Sequence, residues 1–368
     1  MTLNDSCGLL RDLPTGAEIL IARLRSLGDI VLETPGIAAL HAWRPDLRIS
    51  VLVEPRFAAV LEGNSAVSEL IYSRGFAGTA RALRNRRFAA VYNQHGGPRS
   101  ALLTGFSGSP RRVGWKGFQF SFCYNVRVPD ALEFYGRPVV HTVEHRISQL
   151  YATGLPCGPI PRAQVFPRAD AIESVSRGLR QKGIAFDVAY AVIQPGARSA
   201  AMRWPAAKFA EIARWLQKMY GIASVVNLGA GDKEIAADVH REMQNCTVIP
   251  ELLSLRELIA LVAGARLFVG NDSGPAHLAA AAGKPCVVIF GPTNPVQWHP
   301  WRVEHRVIET GAEFRSMRGD KSFTVTESRS IQAIEVGEVR GACAELVAAG
   351  ATSGGAKEGI ASEDIKGG

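Results

Sequence analysis

The chain has 368 residues, of which 47% are apolar and 21% charged, with a formal net charge of +8. This composition excludes a disordered chain, and the length suggests two domains. No apolar run reaches the ~18 residues of a spanning helix: Leu255–Gly270 is broken by Arg256, Glu257 and Arg266.

Residues 1–16 read as a flexible leader without the basic and apolar regions of a secretory signal, so a cytoplasmic setting is expected. Predicted strands then fall at Glu18–Leu24, Leu47–Pro55, Ser68–Tyr72 and Phe88–Gln94. Helical patterns fill Ile30–Trp43 and residues 77–86 and begin again at Phe57. Residues 150–169, with Pro156, Pro159, Pro161 and Pro167, are the candidate linker.

The alternation then restarts. Strands are predicted at Val188–Gly196, Ala223–Gly229, Leu267–Gly270 and Pro285–Gly291. Helices are predicted at Lys208–Tyr220, Glu234–Met243, Leu255–Ala265 and Pro275–Gly283. Strands alternating with helices indicate parallel sheets covered on both faces, and the expected domains are 17–169 and 170–350, followed by a disordered tail over 351–368. Ligands of such sheets bind at the carboxyl ends of the strands.

Charge separates the halves. Residues 1–184 hold 23 Lys and Arg against 14 Asp and Glu, whereas residues 185–368 hold 19 against 20. A basic first half suggests an anionic partner there. Six dispersed cysteines without a C-x-x-C pair give neither a disulfide framework nor a zinc site.

Five segments could carry chemistry. In GNDSGPAHLAAAAGKP, Gly270–Pro285, a strand ends, Ser273 can cap a helix and Pro275 suits its first position. That helix start is a natural diphosphate seat for Asp272, Ser273, Gly274, Pro275 and His277 to surround. In RLRSLGDIVLETP, Arg23–Pro35, Asp29 sits where a carboxylate could take a proton from a hydroxyl, but Ser26 and Asp29 also have capping-box spacing. QPGARSAAMRWPAAKF, Gln194–Phe209, offers Gly196 at a strand end and Arg198, Ser199 and Arg203 for phosphate, or else is a polar loop anchored by Trp204. NLGAGDKE, Asn227–Glu234, places Glu234 where ribose hydroxyls could be held, or is a plain turn. YNQHGGPRSALLTGF, Tyr92–Phe106, gathers Gln94, His95 and Arg99, which with Arg56, Arg111, Arg112 and Lys116 could face an anionic substrate, or else the outlying arginines are a solvated surface.

Trp298 is a candidate stacking residue, and His141 and His145 lie at i, i+4 with no third metal ligand, which favours a structural role. There is no P-loop, H-E-x-x-H, G-x-S-x-G or Asp-x-Asp, and no nucleic-acid-binding motif. No metal site is expected.

Taken together, ILIARLRSLGDIVLETPGIAALHAWRPDLRISVLVEP, FAAVYNQHGGPRSALLTGFSGSPRRVGWKG, PGARSAAMRWP and NDSGPAHLAAAAGKPCVVIFGPTNPVQWHPW resemble, in order over about residues 18–302, glycosyltransferase family 9, the lipopolysaccharide heptosyltransferase family. The resemblance implies a GT-B fold of two Rossmann-like domains facing across a cleft. The first domain would bind the acceptor, an anionic core oligosaccharide or glycolipid at the cytosolic membrane face, through Arg56, Gln94 and Arg99. The second would bind a nucleotide sugar, commonly ADP-heptose, through Gly196, Arg198, Ser199, Arg203, Glu234 and Asp272–His277. The family's proposed base falls on Asp29, and the implied transfer is inverting and metal-independent, with no cofactor beyond the donor. One departure stands out: where the family usually has Lys before Arg/His-Trp-Pro, this chain has Met202, so Arg198, Arg203 or Lys208 would have to replace that contact. Two alternatives are a non-catalytic sugar-nucleotide-binding protein and a two-domain nucleotide-sugar epimerase.

Overall fold

The computed structural model describes residues 8–184, 188–243, 247–248, 252–311, 314–315, 324–325 and 330–355. In the first half, β1 (Glu18–Ala22) leads into α1 (Leu27–Val31) and α2 (Thr34–Trp43), followed by β2 (Arg48–Val53) and β3 (Glu69–Tyr72). Next come α3 (Phe76–Arg84), β4 (Ala90–Asn93), α4 (Pro98–Phe106), β5 (Arg112–Trp115), β6 (Val126–Val128), α5 (Ala131–Tyr135) and α6 (Thr142–Tyr151). The sheet order is β3-β2-β1-β4-β5-β6, all parallel.

The second half opens with α7 (Ala169–Gln181) and β7 (Tyr190–Gln194), then α8 (Ala206–Tyr220), β8 (Ala223–Val226), α9 (Lys233–Glu242) and β9 (Thr247–Val248). It continues with α10 (Leu255–Gly264), β10 (Leu267–Asn271), α11 (Gly274–Ala281), β11 (Cys286–Phe290), α12 (Pro295–Trp298), β12 (His305–Glu309) and α13 (Val336–Gly355). Its sheet, β12-β11-β10-β7-β8-β9, is also parallel and repeats the 3-2-1-4-5-6 order of the first. In that order the chain reverses direction across the sheet between strands one and four. The crevice this leaves at their carboxyl ends is where such folds bind ligands.

The apolar runs of β1, β4, β7, β10 and β11 are buried along nearly their whole length. Helices on both sheet faces require this, and it explains why these strands show no polar alternation. Strands β5, β6 and β12 lacked such a run: two are short and carry arginine, and β12 is a half-buried edge.

One expectation is overturned. The part of the leader from Gly8 onward is packed: Leu9, Leu10 and Leu13 are buried, and Leu10 N–H donates to Thr153 O at 2.9 Å. Arg44 fixes it further, donating to Leu10 O at 2.8 Å and Leu13 O at 3.0 Å. The tail expected to be disordered is helical in α13 as far as Gly355, and residues 356–368 lie outside the described residues.

Candidate active site

Asp29 stands on α1, directly after β1. Ser26 donates its backbone N–H to Asp29 Oδ2 at 3.5 Å, the reciprocal contact of the capping-box spacing, and its hydroxyl to the same oxygen at 2.9 Å. It is only part of the environment. Arg23 forms an ion pair with Asp29 Oδ1, and Arg146, from α6, donates to the same oxygen at 2.9 Å. Both guanidiniums also donate to Gln94 O at the end of β4, Arg23 at 2.5 Å and Arg146 at 2.9 Å. The switch point between β1 and β4 thus holds a carboxylate clamped by two arginines.

Burial works to raise the Asp29 pKa, but Arg23, Arg146 and Ser26 overcome it and hold the carboxyl well below the usual carboxylate range. Its side chain remains 17% exposed, so an incoming hydroxyl can reach it. Behind it lies Glu33, buried with neither carboxyl oxygen hydrogen-bonded; burial pushes it up to about 7 against the pull of Arg146 and Arg23. His95 and His145 face the same arginines, and burial, followed by those cations, lowers them to about 4 and about 3. His145 also stacks on Trp115 with centroids 4.5 Å apart. The cluster is therefore cationic around one partly buried carboxylate.

The three expected acceptor contacts separate. Gln94 is buried, with its side-chain amide donating to Arg146 O at 3.2 Å, so it supports the arginine clamp. Arg99 donates to Ser73 Oγ at 3.0 Å at the start of α4. Arg56 is exposed but held by Glu54 at 2.8 Å, which offsets its charge locally.

On the opposite sheet, Asn271 ends β10 and ties two loops together. Its side chain donates to Pro195 O at 2.8 Å and accepts from Trp204 N–H at 3.0 Å. Gly196 lets Asp232 approach closely, since a Cβ there would lie 2.2 Å from the Asp232 carboxylate oxygens and displace them. Asp232 in turn accepts from Gly229 N–H at 2.7 Å and shapes the glycine turn before α9. Asp272 is buried and pushed up to about 6 by burial, against a 2.7 Å hydrogen bond from Thr293 and the charge of Arg198. Arg203 donates to Ala197 O at 3.0 Å and reaches Glu234 at 3.3 Å, while Glu234 itself is 82% exposed.

Two local expectations change. Ser273 occupies the N-cap position of α11 without capping it; its hydroxyl donates back to Asn271 O at 3.0 Å. His277 does not point into an open phosphate seat. It is buried against α1, where a Cβ on Gly28 would lie 2.6 Å from His277 Cδ2, and burial lowers it to about 4. Gly274 makes the matching approach, with Leu27 Cβ 2.9 Å from where its own Cβ would be. The helix after β10 therefore packs directly on the helix after β1, and the carboxyl-end faces of the two sheets meet there.

Of the candidates to replace the family lysine, Lys208 is committed elsewhere, donating to Gln332 O at 2.9 Å and Ile334 O at 2.8 Å. Ser199 and Arg198 are exposed, and Arg198 makes no ion pair with the described residues while acting on Asp272. Trp298 lies beside His277, with ring centroids 6.1 Å apart. His141 caps α6, accepting from Val143 N–H at 3.1 Å, and stacks on Trp301. Among the described residues no group of three or more His, Cys, Asp and Glu could hold a metal, and no helix is long and apolar enough to cross a membrane.

Sequence reasoning passed over Arg23 and Arg146. Arg23 lay inside the Gly-Asp segment, but Arg146 is 117 residues from Asp29 and no local pattern links them.

Comparison with known proteins agrees with this geometry. The profile of glycosyltransferase family 9 (heptosyltransferase) matches residues 77–321. Lipopolysaccharide heptosyltransferase 2 of Escherichia coli K12 is 26% identical over 319 residues, covering 82% of this chain and 90% of the relative. A family 9 glycosyltransferase structure from Veillonella parvula superposes with a TM-score of 0.81 at 22% identity, over 92% of this chain and 99% of that one. The E. coli ADP-heptose lipopolysaccharide heptosyltransferase II structure gives 0.74 at 24% identity, over 90% and 99%. With two parallel sheets of the GT-B kind meeting at their carboxyl ends, this chain belongs to glycosyltransferase family 9, the heptosyltransferase family, and is a glycosyltransferase.

Proposed function

We propose that this enzyme moves heptose from ADP-heptose onto a lipopolysaccharide core or related anionic glycan, with inversion, without a metal or other cofactor, at the cytosolic face of a membrane. The observation that carries the reading is the Asp29 clamp: an ionised, reachable carboxylate one helix contact away from the start of α11. The donor assignment rests on the names of the relatives, one of which is an ADP-heptose transferase.

In this reading Asp29 accepts the proton of the acceptor hydroxyl as its oxygen bonds to the anomeric carbon. The bond from that carbon to the diphosphate breaks in the same displacement, and the electron pair leaves on the diphosphate. A carboxylate with a depressed pKa is a weak base, which suits a transition state in which the sugar is already oxocarbenium-like and the hydroxyl becomes acidic late. Arg23 and Arg146 orient Asp29 and give the acceptor side its positive field. The diphosphate is received by the α11 start and Arg198, since Lys208 is held by backbone carbonyls.

Met202 keeps a second reading open, that of a sugar-nucleotide-binding protein that does not transfer. Both readings are tested by incubating purified protein with ADP-heptose and a deacylated core acceptor and following ADP release. Acceptor-dependent ADP release that falls by 10²–10⁴ in Asp29→Asn supports transfer. Donor binding without release, or full activity in Asp29→Asn, sinks it.

A further inference from the structure

The first domain carries charge that the Asp29 cluster does not use. From residue 70 to residue 129 the chain contains ten Lys and Arg and no Asp or Glu. Some of these are committed: Arg86 pairs with Glu18 and Glu69, Lys116 with Glu133, and Arg112 binds the carbonyls of Cys123 and Ser109. Arg74, Arg81, Arg84 and Arg87 remain exposed and form no ion pair with the described residues.

Aromatic side chains project from the same ground. Phe76 of α3 and Phe106 of α4 meet edge to face at 5.8 Å. Between these helices runs a groove of about 480 Å³ lined by Ala80, Arg81, Arg84, Gly105 and Phe106. The 3-10 turn Ser121–Cys123 adjoins α4, since a Cβ on Gly105 would lie 3.2 Å from Cys123 Sγ. That turn presents Phe122, paired edge to face with Phe120 at 5.9 Å. Phe122 is 73% exposed and Phe106 55%. A single exposed phenylalanine is unremarkable, but four on adjoining elements among uncompensated arginines mark an interaction surface.

Its chemistry selects the partner. The rings pack on one another as protruding wedges and leave no flat platform on which bases could stack. Phenylalanine wedges among arginines match a surface with phosphates outside and hydrocarbon beneath. We propose that α3, the end of α4 and the 121–123 turn form a membrane-docking face. Phe106 and Phe122 enter the headgroup layer of an anionic bilayer while Arg81 and Arg84 bind its phosphates. The proposal builds on the reading above that the enzyme works at a membrane face, and it names the surface that does so.

The test is co-sedimentation of the full chain with vesicles of phosphatidylcholine alone, or of phosphatidylethanolamine with phosphatidylglycerol. Binding is expected only to the anionic vesicles and should weaken as salt rises. Arg81→Glu with Arg84→Glu should weaken it at least twentyfold, since each basic residue near an anionic surface contributes about fivefold. Phe106→Ser with Phe122→Ser should weaken it about tenfold and leave the salt dependence unchanged. Both variants should retain the wild-type rate on a soluble deacylated acceptor, which shows that they fold. Absence of anionic-vesicle binding at low salt, binding untouched by either variant, or a dimer that the phenylalanine substitutions disperse would each overturn the proposal. Vesicle binding needs neither donor nor acceptor, so its failure and a failure of the transferase reading are seen separately.

Discussion

Replacing Gly28 by Ala tests whether the close contact between α1 and α11 governs transfer. The added methyl carbon would lie 2.6 Å from His277 Cδ2, about 0.8 Å inside the 3.4 Å edge of ordinary contact. His277 is buried with Trp298 beside it, so the ring has little room to swing away. The two helices must then part by most of that distance. Overpacking of this kind costs about 1–3 kcal/mol of stability, and a displacement approaching 1 Å between reacting groups can cost about 10²-fold in rate. The assay is acceptor-dependent ADP release with urea unfolding alongside, on Gly28→Ala, His277→Ala and the double variant. Removing the ring makes room for the methyl group, so the double variant should be more active than Gly28→Ala, with a coupling of at least about 1 kcal/mol. If Gly28→Ala behaves as wild type, or if the two effects simply add, the helix contact does not set the geometry of transfer and the reasoning fails.

Arg198→Ala should raise the donor KM at least tenfold, whereas Lys208→Ala should lower stability and leave the donor KM within about twofold; steady-state kinetics with thermal unfolding separates them, and the reverse pattern would place the phosphate contact on Lys208. Glu33 offers a test of pH dependence. Its folded pKa, about 7, lies above its unfolded value, so the folded state binds the extra proton and stability falls as pH rises from about 4 to about 7. Glu33→Gln should remove that fall, gaining about 3 kcal/mol over wild type at pH 8 but little at pH 4.5; equal effects at both pH values in urea titrations would contradict it. A chelator such as EDTA should leave the transfer rate unchanged, and a loss restored by magnesium would show that a metal takes part. Thermal shifts with ADP, UDP and GDP should favour ADP without a magnesium requirement, by about 2.7 kcal/mol at a hundred times its dissociation constant.

Much of this molecule is written locally. The runs EILIA, YAVIQ, LFVGN and CVVIF have strand length and are apolar apart from a terminal Glu, Gln or Asn, the pattern of parallel strands buried between helices. Gly28-Asp29 and Asp272–Pro275 each follow the end of such a strand, which sets them at the sheets' carboxyl edges. The leucines at 9, 10 and 13 carry no local signal of their burial, because the groups that fix their backbone, Arg44 and Thr153, are distant in the chain.

What only the tertiary structure decided is the electrostatic and contact environment of those segments. Whether Asp29 is a helix cap or a clamped carboxylate depends on Arg146, brought to it from α6, which donates from Gln149 to Asn93 O on β4 and stacks His145 on Trp115 of β5. Lys208 is excluded from the donor side by carbonyls near residue 334, and Gln94 is turned inward by the two arginines that its carbonyl holds. His277 is buried because α1 lies against it. Strands and helices follow from neighbours a few residues apart and so are legible in sequence. The charge, burial and access of a side chain follow from whatever the fold sets beside it, and those neighbours come from anywhere in the chain.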